Sequence, residues 1–338
     1  MALNVNLLDT LNFDSDAAEH LLDEVYDDCP TLSGYDKTNS RSIPIVVDET
    51  DQDAIKTLVR IKLPEVDPFR YANEGVKPSK GTYEPRMISL ATVTSFWDCD
   101  QSIIKKNPRR GARFMEAEAI GTMRAHTLAM EQQFFYGNKK DAGAYEKGFQ
   151  GLTDFCDPAM VTDVNGAAAD NLASVWFVWW DMLGVSWVYG QEGHVGLSEP
   201  ELTTVIDEKG GKFKAYEQSM EFYPGLKVLN SKACGRIANI PTKSIETGVP
   251  KAGIITDMMI RLHLAKFPKV CKPNVIYMPE SVNLLLAASR TASITNENGD
   301  KLFEGTQPPP PKDFDGIPIV YTDQLSLKEP KWKAPAKA

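Results

Sequence analysis

The spacing of apolar positions changes several times along the chain, and each change marks a different element. Ala18, Leu21, Leu22 and Val25 recur at i, i+3, i+4 and i+7, and Asp16 and Glu19 suit a capping box. This predicts one short amphipathic helix, too short to be stable without a surface to lie on. Pro30 and Gly34 interrupt it. From about residue 41 to 100 the period drops to two. Lys56 to Leu63 sets Val59, Ile61 and Leu63 on one face against Arg60 and Lys62 on the other, and Met87 to Trp97 is a second β-rich run. The connection between them, Pro64 to Arg86, holds Pro64, Pro68, Pro78, Gly75 and Gly81 and reads as the extended tip of a long hairpin. A two-stranded ribbon alone is marginal in water, so this hairpin is expected to lie on another subunit.

The period then changes to that of a helix. Pro108 to Tyr136 has Asn107 at the N-cap, Pro at the first helical position and Gly137 at the end. Ala112, Met115, Ala119, Met123, Met130 and Phe134 form one stripe, and Arg113, Glu116, Glu118, Arg124 and Glu131 supply the polar faces. At ~1.5 Å per residue such a helix reaches roughly 40 Å, enough to brace an elongated molecule.

The second half is mixed. Val175 to Asp181 is a continuous apolar run fit for a buried strand, and Val185 to Tyr189 is expected beside it. Glu208-Lys209-Gly210-Gly211 is a turn between extended segments, and Ile254 to Phe267 is a helix closed by Pro268. A strand at Asn274 to Met278, a helix at Glu280 to Arg290 and a strand at Ile317 to Thr322 follow. Asn298-Gly299 is a hairpin-type turn and Pro308 to Pro311 an extended segment. The fold class is α+β.

Charge sharpens this picture. The net charge is −9, and nine acids, Asp9 to Asp36, precede the first basic residue, Lys37. The 37 acids that remain equal the 37 Lys plus Arg, so the excess negative charge belongs to an N-terminal arm on a neutral body. Such a chain is poorly suited to grip nucleic acid, which requires clustered cations. One cationic cluster does stand out: Lys105, Lys106, Arg109, Arg110 and Arg113 at the start of the long helix. Cations there oppose the helix dipole, so the cluster is either a solvated basic turn or a surface for acidic groups. The acidic groups considered are a neighbour's Asp-rich arm, a scaffolding protein or DNA phosphate.

Chemistry-bearing motifs are sparse. The five cysteines are scattered without C-x-x-C spacing and read as reduced, packed thiols. His126, near the apolar stripe of the long helix, reads as a hydrogen-bonded packing residue, and His194 as a loop residue. Asn296 to Asp300 lacks the spacing of a calcium loop. There is no nucleophile elbow, phosphate-binding loop, dinucleotide fingerprint or H-E-x-x-H. No catalytic residues, metal or cofactor are expected. No apolar run of membrane-spanning length and no secretory signal pattern is seen.

The order of parts resembles tailed-bacteriophage major capsid proteins of the Hong Kong 97-type fold, in particular a podophage and myophage group. Ala72 to Lys80 is similar to their hairpin tip, and Gln133 to Asn138 with Phe149 to Leu152 to the end of their spine helix. Val175 to Val178, Val185 to Gly190 and Arg236 to Ile240 are similar to later segments, and the likeness runs from roughly residue 55 to 325. It implies an acidic N-terminal arm at 1–40 and an extended β-hairpin loop at 41–100. The spine helix and peripheral domain would occupy 101–170, a mostly axial domain 171–313, and a final peripheral strand with a basic tail 314–338.

The function implied is a non-enzymatic subunit forming hexamers and pentamers of an icosahedral head around double-stranded DNA. An encapsulin-like nanocompartment shell of the same fold is the alternative. The expected intersubunit contacts are Asp67, Phe69, Arg70, Tyr71, Lys77, Lys80, Arg109, Arg110 and Arg113. Expected partners are further copies of the chain, a scaffolding protein, a portal protein, a decoration protein and packaged DNA bound without sequence specificity, with no membrane. Since only about forty residues precede the hairpin, the scaffolding protein is expected to be separate. The expected location is the virion capsid, with assembly in the host cytoplasm.

Overall fold

The computed structural model describes residues 29–50, 54–66, 69–106, 108–138, 146–164, 171–190, 196–207, 209–242, 255–290, 293–295, 301–304 and 309–333. At 49, 61, 108–114, 196–197, 293–295 and 301–304 the description covers the backbone alone. The amphipathic helix expected around Ala18 to Val25, His194 and the turn at Asn298-Gly299 lie outside it. The strands flanking that turn, Ser293–Thr295 and Lys301–Glu304, do pair antiparallel.

The chain divides into two compact units, one of Val93–Met130 with Val195–Phe222, the other of Cys29–Thr92, Glu131–His194 and Tyr223–Ala338. The larger unit is built on a six-stranded mixed sheet in the order Asp313–Phe314, Ile317–Tyr321, Val275–Met278, Leu172–Val178, Cys234–Pro241, Val161–Asp163. Leu172–Val178 is buried along its whole length because both of its faces are covered. Val175 and Phe177 join Ile260, Phe267, Val282, Leu285 and Leu286 from the helices Asp257–Ala265 and Glu280–Ser289 and the turn after the first of them. Trp176, on the opposite face, meets Phe135 from the end of the long helix, with ring centroids 6.3 Å apart. That double covering is why the sequence there shows no alternation.

The long helix runs Pro108–Tyr136, as its caps predict. Gly137 follows in the left-handed region (φ 62°), where its N–H donates to the Gln133 carbonyl at 2.8 Å. A Cβ at Gly137 would overlap Asp154 and the Gly151 nitrogen, so only glycine fits this close. Of the apolar stripe, Met115, Ala119, Met130 and Phe134 are buried. Met123 corrects the expectation, being 43% exposed despite its helical register. The final turn inserts aromatics into the larger unit: Phe134 stacks on Trp180 at 5.4 Å, and Phe135 sits edge-on to Tyr277 at 5.7 Å.

Two strand expectations are also corrected. Val185–Gly190 does not lie beside the buried run in a common sheet. It pairs instead with Pro224–Val228 and Val47–Thr50 in a three-stranded sheet, and a Trp180–Val185 bridge connects it to the apolar run. The separation arises at Asp181 to Gly184, where the Asp181 carboxylate accepts the Leu183 N–H at 2.9 Å and turns the chain. The run Met87 to Trp97 is likewise two strands, Thr82–Ser89 and Val93–Asp100, broken at 90–92. The second of these pairs with Lys212–Phe222, the hub of the smaller unit's sheet, which also holds Glu201–Ile206 and Gly196–Leu197.

Candidate assembly surface

The hairpin consists of Ala54–Lys62 and Thr82–Ser89, antiparallel from Ala54 opposite Ser89 to Lys62 opposite Thr82. Its root is anchored. Ile88 is buried, the Ala91 N–H donates to the Pro224 carbonyl at 2.9 Å, and the Arg86 guanidinium donates to the carbonyls of Val228 and Leu229. Further out the ribbon holds itself together by Arg60, which donates to the Tyr83 hydroxyl at 2.6 Å and lies 5.1 Å from the ring centroid. Among the described residues the loop beyond has no helix or strand, and every residue from 69 to 80 is exposed.

A small turn orders the loop tip. The Glu74 carboxylate accepts the Tyr71 N–H at 3.0 Å, the Glu74 N–H donates back to the Tyr71 carbonyl at 3.2 Å, and Asn73 adopts φ 70°. Arg70 donates to the Glu74 carbonyl at 3.2 Å. The turn leaves Phe69 88% and Tyr71 85% exposed, and Leu58, Leu63, Val66 and Met87 continue the apolar series along the ribbon. These large apolar side chains are held out by an ordered backbone, and isolated folded chains rarely display so much apolar area on one projection.

Of the residues singled out from sequence, Phe69, Arg70, Tyr71, Lys77 and Lys80 are thus brought together in one exposed loop, while Asp67 lies outside the described residues. Arg109, Arg110 and Arg113 fall in the first turns of the long helix, with Lys105 and Lys106 exposed just before it. The smaller unit also has an apolar hollow of about 420 Å³ lined by Ile104, Met115, Ala119, Pro200 and Tyr216. In the same unit His126 is a packing residue: its Nε2 pairs with the Ser95 hydroxyl at 2.5 Å, its ring stands edge-on to Phe222, and burial lowers its pKa.

One buried polar cluster went unnoticed in the sequence. Glu329 is buried, its Oε1 accepts the Tyr136 hydroxyl proton at 2.6 Å, and its Oε2 accepts from Arg236 at 2.9 Å and from the Ser174 hydroxyl. Ser174 in turn accepts from Arg236 Nε at 2.9 Å, and the guanidinium lies 5.1 Å from the Trp176 ring centroid. The Tyr136 oxygen accepts the Ser326 N–H at 2.8 Å, and its own proton is held firmly by burial and by the adjacent carboxylate. Thr242 donates to the Leu327 carbonyl, and Asn239 both accepts from and donates to the Trp332 backbone. Together these bonds strap residues 322–333 across the sheet and the end of the long helix. In sequence Glu329 reads as part of a solvated Lys-Glu-Pro-Lys tail. The available signal was Arg236, a lone cation inside an apolar strand, which requires a buried partner.

His263 is a second buried ionisable group. It packs against Phe177 (4.5 Å) and Phe267 (5.6 Å), with Nδ1 paired to Thr162 Oγ1 at 2.8 Å. Burial, helped by the Lys266 ammonium, lowers its pKa to about 3, so the ring is neutral. Among the described residues no cluster of His, Cys, Asp and Glu has metal-holding geometry, and no helix is long and apolar enough to cross a membrane.

Solved structures place this architecture. A chain from the cryo-EM structure of bacteriophage epsilon15 is similar over 98% of this chain and 99% of its own, with TM-score 0.66 and 18% identity. The bacteriophage JBD30 capsid is similar over 96% and 100%, with TM-score 0.49 and 10% identity. The SrpI encapsulin of Synechococcus elongatus PCC 7942 is similar over 67% and 96%, with TM-score 0.37 and 12% identity. The likeness to the epsilon15 chain shows the fold, α+β of the Hong Kong 97 type. The family model described as major capsid protein GP7 matches residues 38–333, and the chain belongs to that family of phage major capsid proteins. No curated protein matches it.

Proposed function

We propose that this major capsid protein works purely as a structural subunit, without catalysis, and that the exposed hairpin is what joins neighbouring copies into hexamers and pentamers of an icosahedral head. The observation that carries the reading is the exposure of Phe69 and Tyr71 on an ordered turn at the end of an anchored ribbon. Their apolar area is useful only when a second subunit covers it. Single contacts of this kind are modest, but a shell repeats them many times, so the assembled lattice is held by avidity and its persistence is kinetic.

In this reading Arg70, Lys77 and Lys80 flank the apolar contact and select its register, and Asp67 remains a contact expected from sequence alone. The cationic start of the long helix, Arg109, Arg110 and Arg113, meets acidic groups of a neighbour or of a separate scaffolding protein. A portal protein, a decoration protein and packaged double-stranded DNA complete the set of partners. The DNA is enclosed rather than gripped, consistent with a chain whose net charge is −9. Assembly takes place in the host cytoplasm.

The test is co-expression of the double variant Phe69→Glu, Tyr71→Glu with its scaffolding partner, followed by negative-stain electron microscopy and size-exclusion chromatography. Folded subunits that yield neither rings nor closed shells are expected. Closed shells at the wild-type yield would refute the hairpin as the joining element. Charge reversal at Arg109, Arg110 and Arg113 tests the second surface in the same assay, and normal particles would remove it from the model of assembly.

A further inference from the structure

Cys156 and Cys234 are 78 positions apart in sequence, yet the fold lays their backbones side by side. Cys156 ends the short helix Leu152–Phe155 in extended conformation, and its Sγ–H points at the Cys234 carbonyl at 3.6 Å. The next residue, Asp157, donates its N–H to the Ser231 carbonyl at 3.4 Å, and the Cys234 thiol points to that same carbonyl at 3.9 Å. Cys234 opens the strand Cys234–Pro241 and is completely buried, whereas Cys156 is partly open to solvent. The Cys156 sulfur thus lies against the Cys234 residue itself, and its proximity, together with burial, raises the Cys234 pKa.

We infer that Cys156 and Cys234 form a redox pair, dithiol in a reducing compartment and joined as an intrasubunit cystine once the particle meets a disulfide oxidant. The exposed member reacts first. Cys156 loses its proton, its sulfur attacks one sulfur of a small disulfide such as oxidised glutathione, and one glutathione leaves as thiolate and takes up a proton. Cys234 then loses its proton and attacks the Cys156 sulfur, forming the Cys156–Cys234 bond and releasing the second glutathione. Two protein thiols are oxidised by two electrons and one glutathione disulfide is reduced to two thiols. Because Cys234 is completely buried, its deprotonation is disfavoured, so the second step is the slow one and accelerates with pH. The bridge would tie the end of the short helix Leu152–Phe155 to the central sheet and close a large loop in the unfolded chain, which favours the folded subunit.

The experiment uses purified full-length protein, incubated either with dithiothreitol or with oxidised glutathione at pH 8, then denatured, alkylated and analysed by intact and peptide mass spectrometry. After dithiothreitol all five cysteines are expected to alkylate. After oxidised glutathione three should alkylate, and a linked pair of peptides should contain Cys156 and Cys234. Cys156→Ala is expected to leave no such pair, and its thermal midpoint should not change between the two treatments, whereas that of the wild type should rise on oxidation. Five alkylated thiols after oxidation, a stable glutathione adduct on Cys156 with Cys234 still free, or a bridge to another cysteine would each overturn the assignment.

Discussion

Replacing Glu329 by Ala tests the strap that holds residues 322–333. The carboxylate side chain is 2% exposed and that of Arg236 10%, so neither charge can be compensated by bulk water. Truncation removes the Arg236 partner at 2.9 Å, the acceptor of the Tyr136 proton at 2.6 Å and the acceptor of the Ser174 hydroxyl. What remains for the guanidinium is Ser174 and the Trp176 face. An uncompensated buried charge of this kind costs about 3–5 kcal/mol. At roughly 2 °C per kcal/mol for a unit of this size, the melting midpoint should fall by about 6–10 °C. The assay is scanning calorimetry on unassembled subunits, so that lattice contacts do not mask the change.

The control is the double variant Glu329→Leu, Arg236→Met, which removes both charges and keeps apolar volume. It should recover a substantial part of the loss, because the penalty lies in the orphaned charge rather than in the missing attraction. A midpoint for Glu329→Ala within about 2 °C of wild type, or a double variant no more stable than the single one, would refute the reasoning.

Three further outcomes are expected. Lowering the pH should weaken the subunit through His263: its pKa is about 3 when folded and about 6.5 when exposed, so the unfolded chain binds the proton first. That contribution is intact above pH ~6.5, is lost progressively as pH falls toward about 3, and amounts to about 5 kcal/mol in total. Replacement by Gln should flatten this limb in acid denaturation, and an unchanged profile would count against it. Gly137→Ala should cost about 3 kcal/mol, since it combines a positive φ with a Cβ that overlaps Asp154 and Gly151, and urea melts showing less than about 1 kcal/mol would count against that packing. Phe69→Ala should leave the subunit melting midpoint within about 1 °C of wild type, because the side chain is 88% exposed, while reducing shell yield. A large thermal loss instead would mean that the ring stabilises its own subunit.

Local chemistry made several elements legible in the chain alone. The long helix announces itself through Pro108 and Gly137, whose backbone preferences act within one turn and need no tertiary partner. The hairpin is legible for a similar reason: alternation in Lys56 to Leu63 and prolines in the tip follow from backbone sterics, and the exposure of Phe69 to Lys80 follows from a loop with nothing of its own to pack against. The order of these parts also carried the family resemblance, which the match over residues 38–333 bears out.

Tertiary structure decided what depends on partners distant in sequence. Whether Val185–Gly190 joins the sheet of its neighbour was settled by strands from 47–50 and 224–228, and apolar content cannot encode that choice because each sheet contains a buried apolar strand. Met87 to Trp97 could not reveal its break at 90–92, since the strand beyond it belongs with Lys212–Phe222. Glu329 meets Arg236 across 93 positions and Cys156 meets Cys234 across 78. Hydrophobic period reports which face of an element is covered, whereas the identity of the residue on the other side arises only when the chain closes on itself.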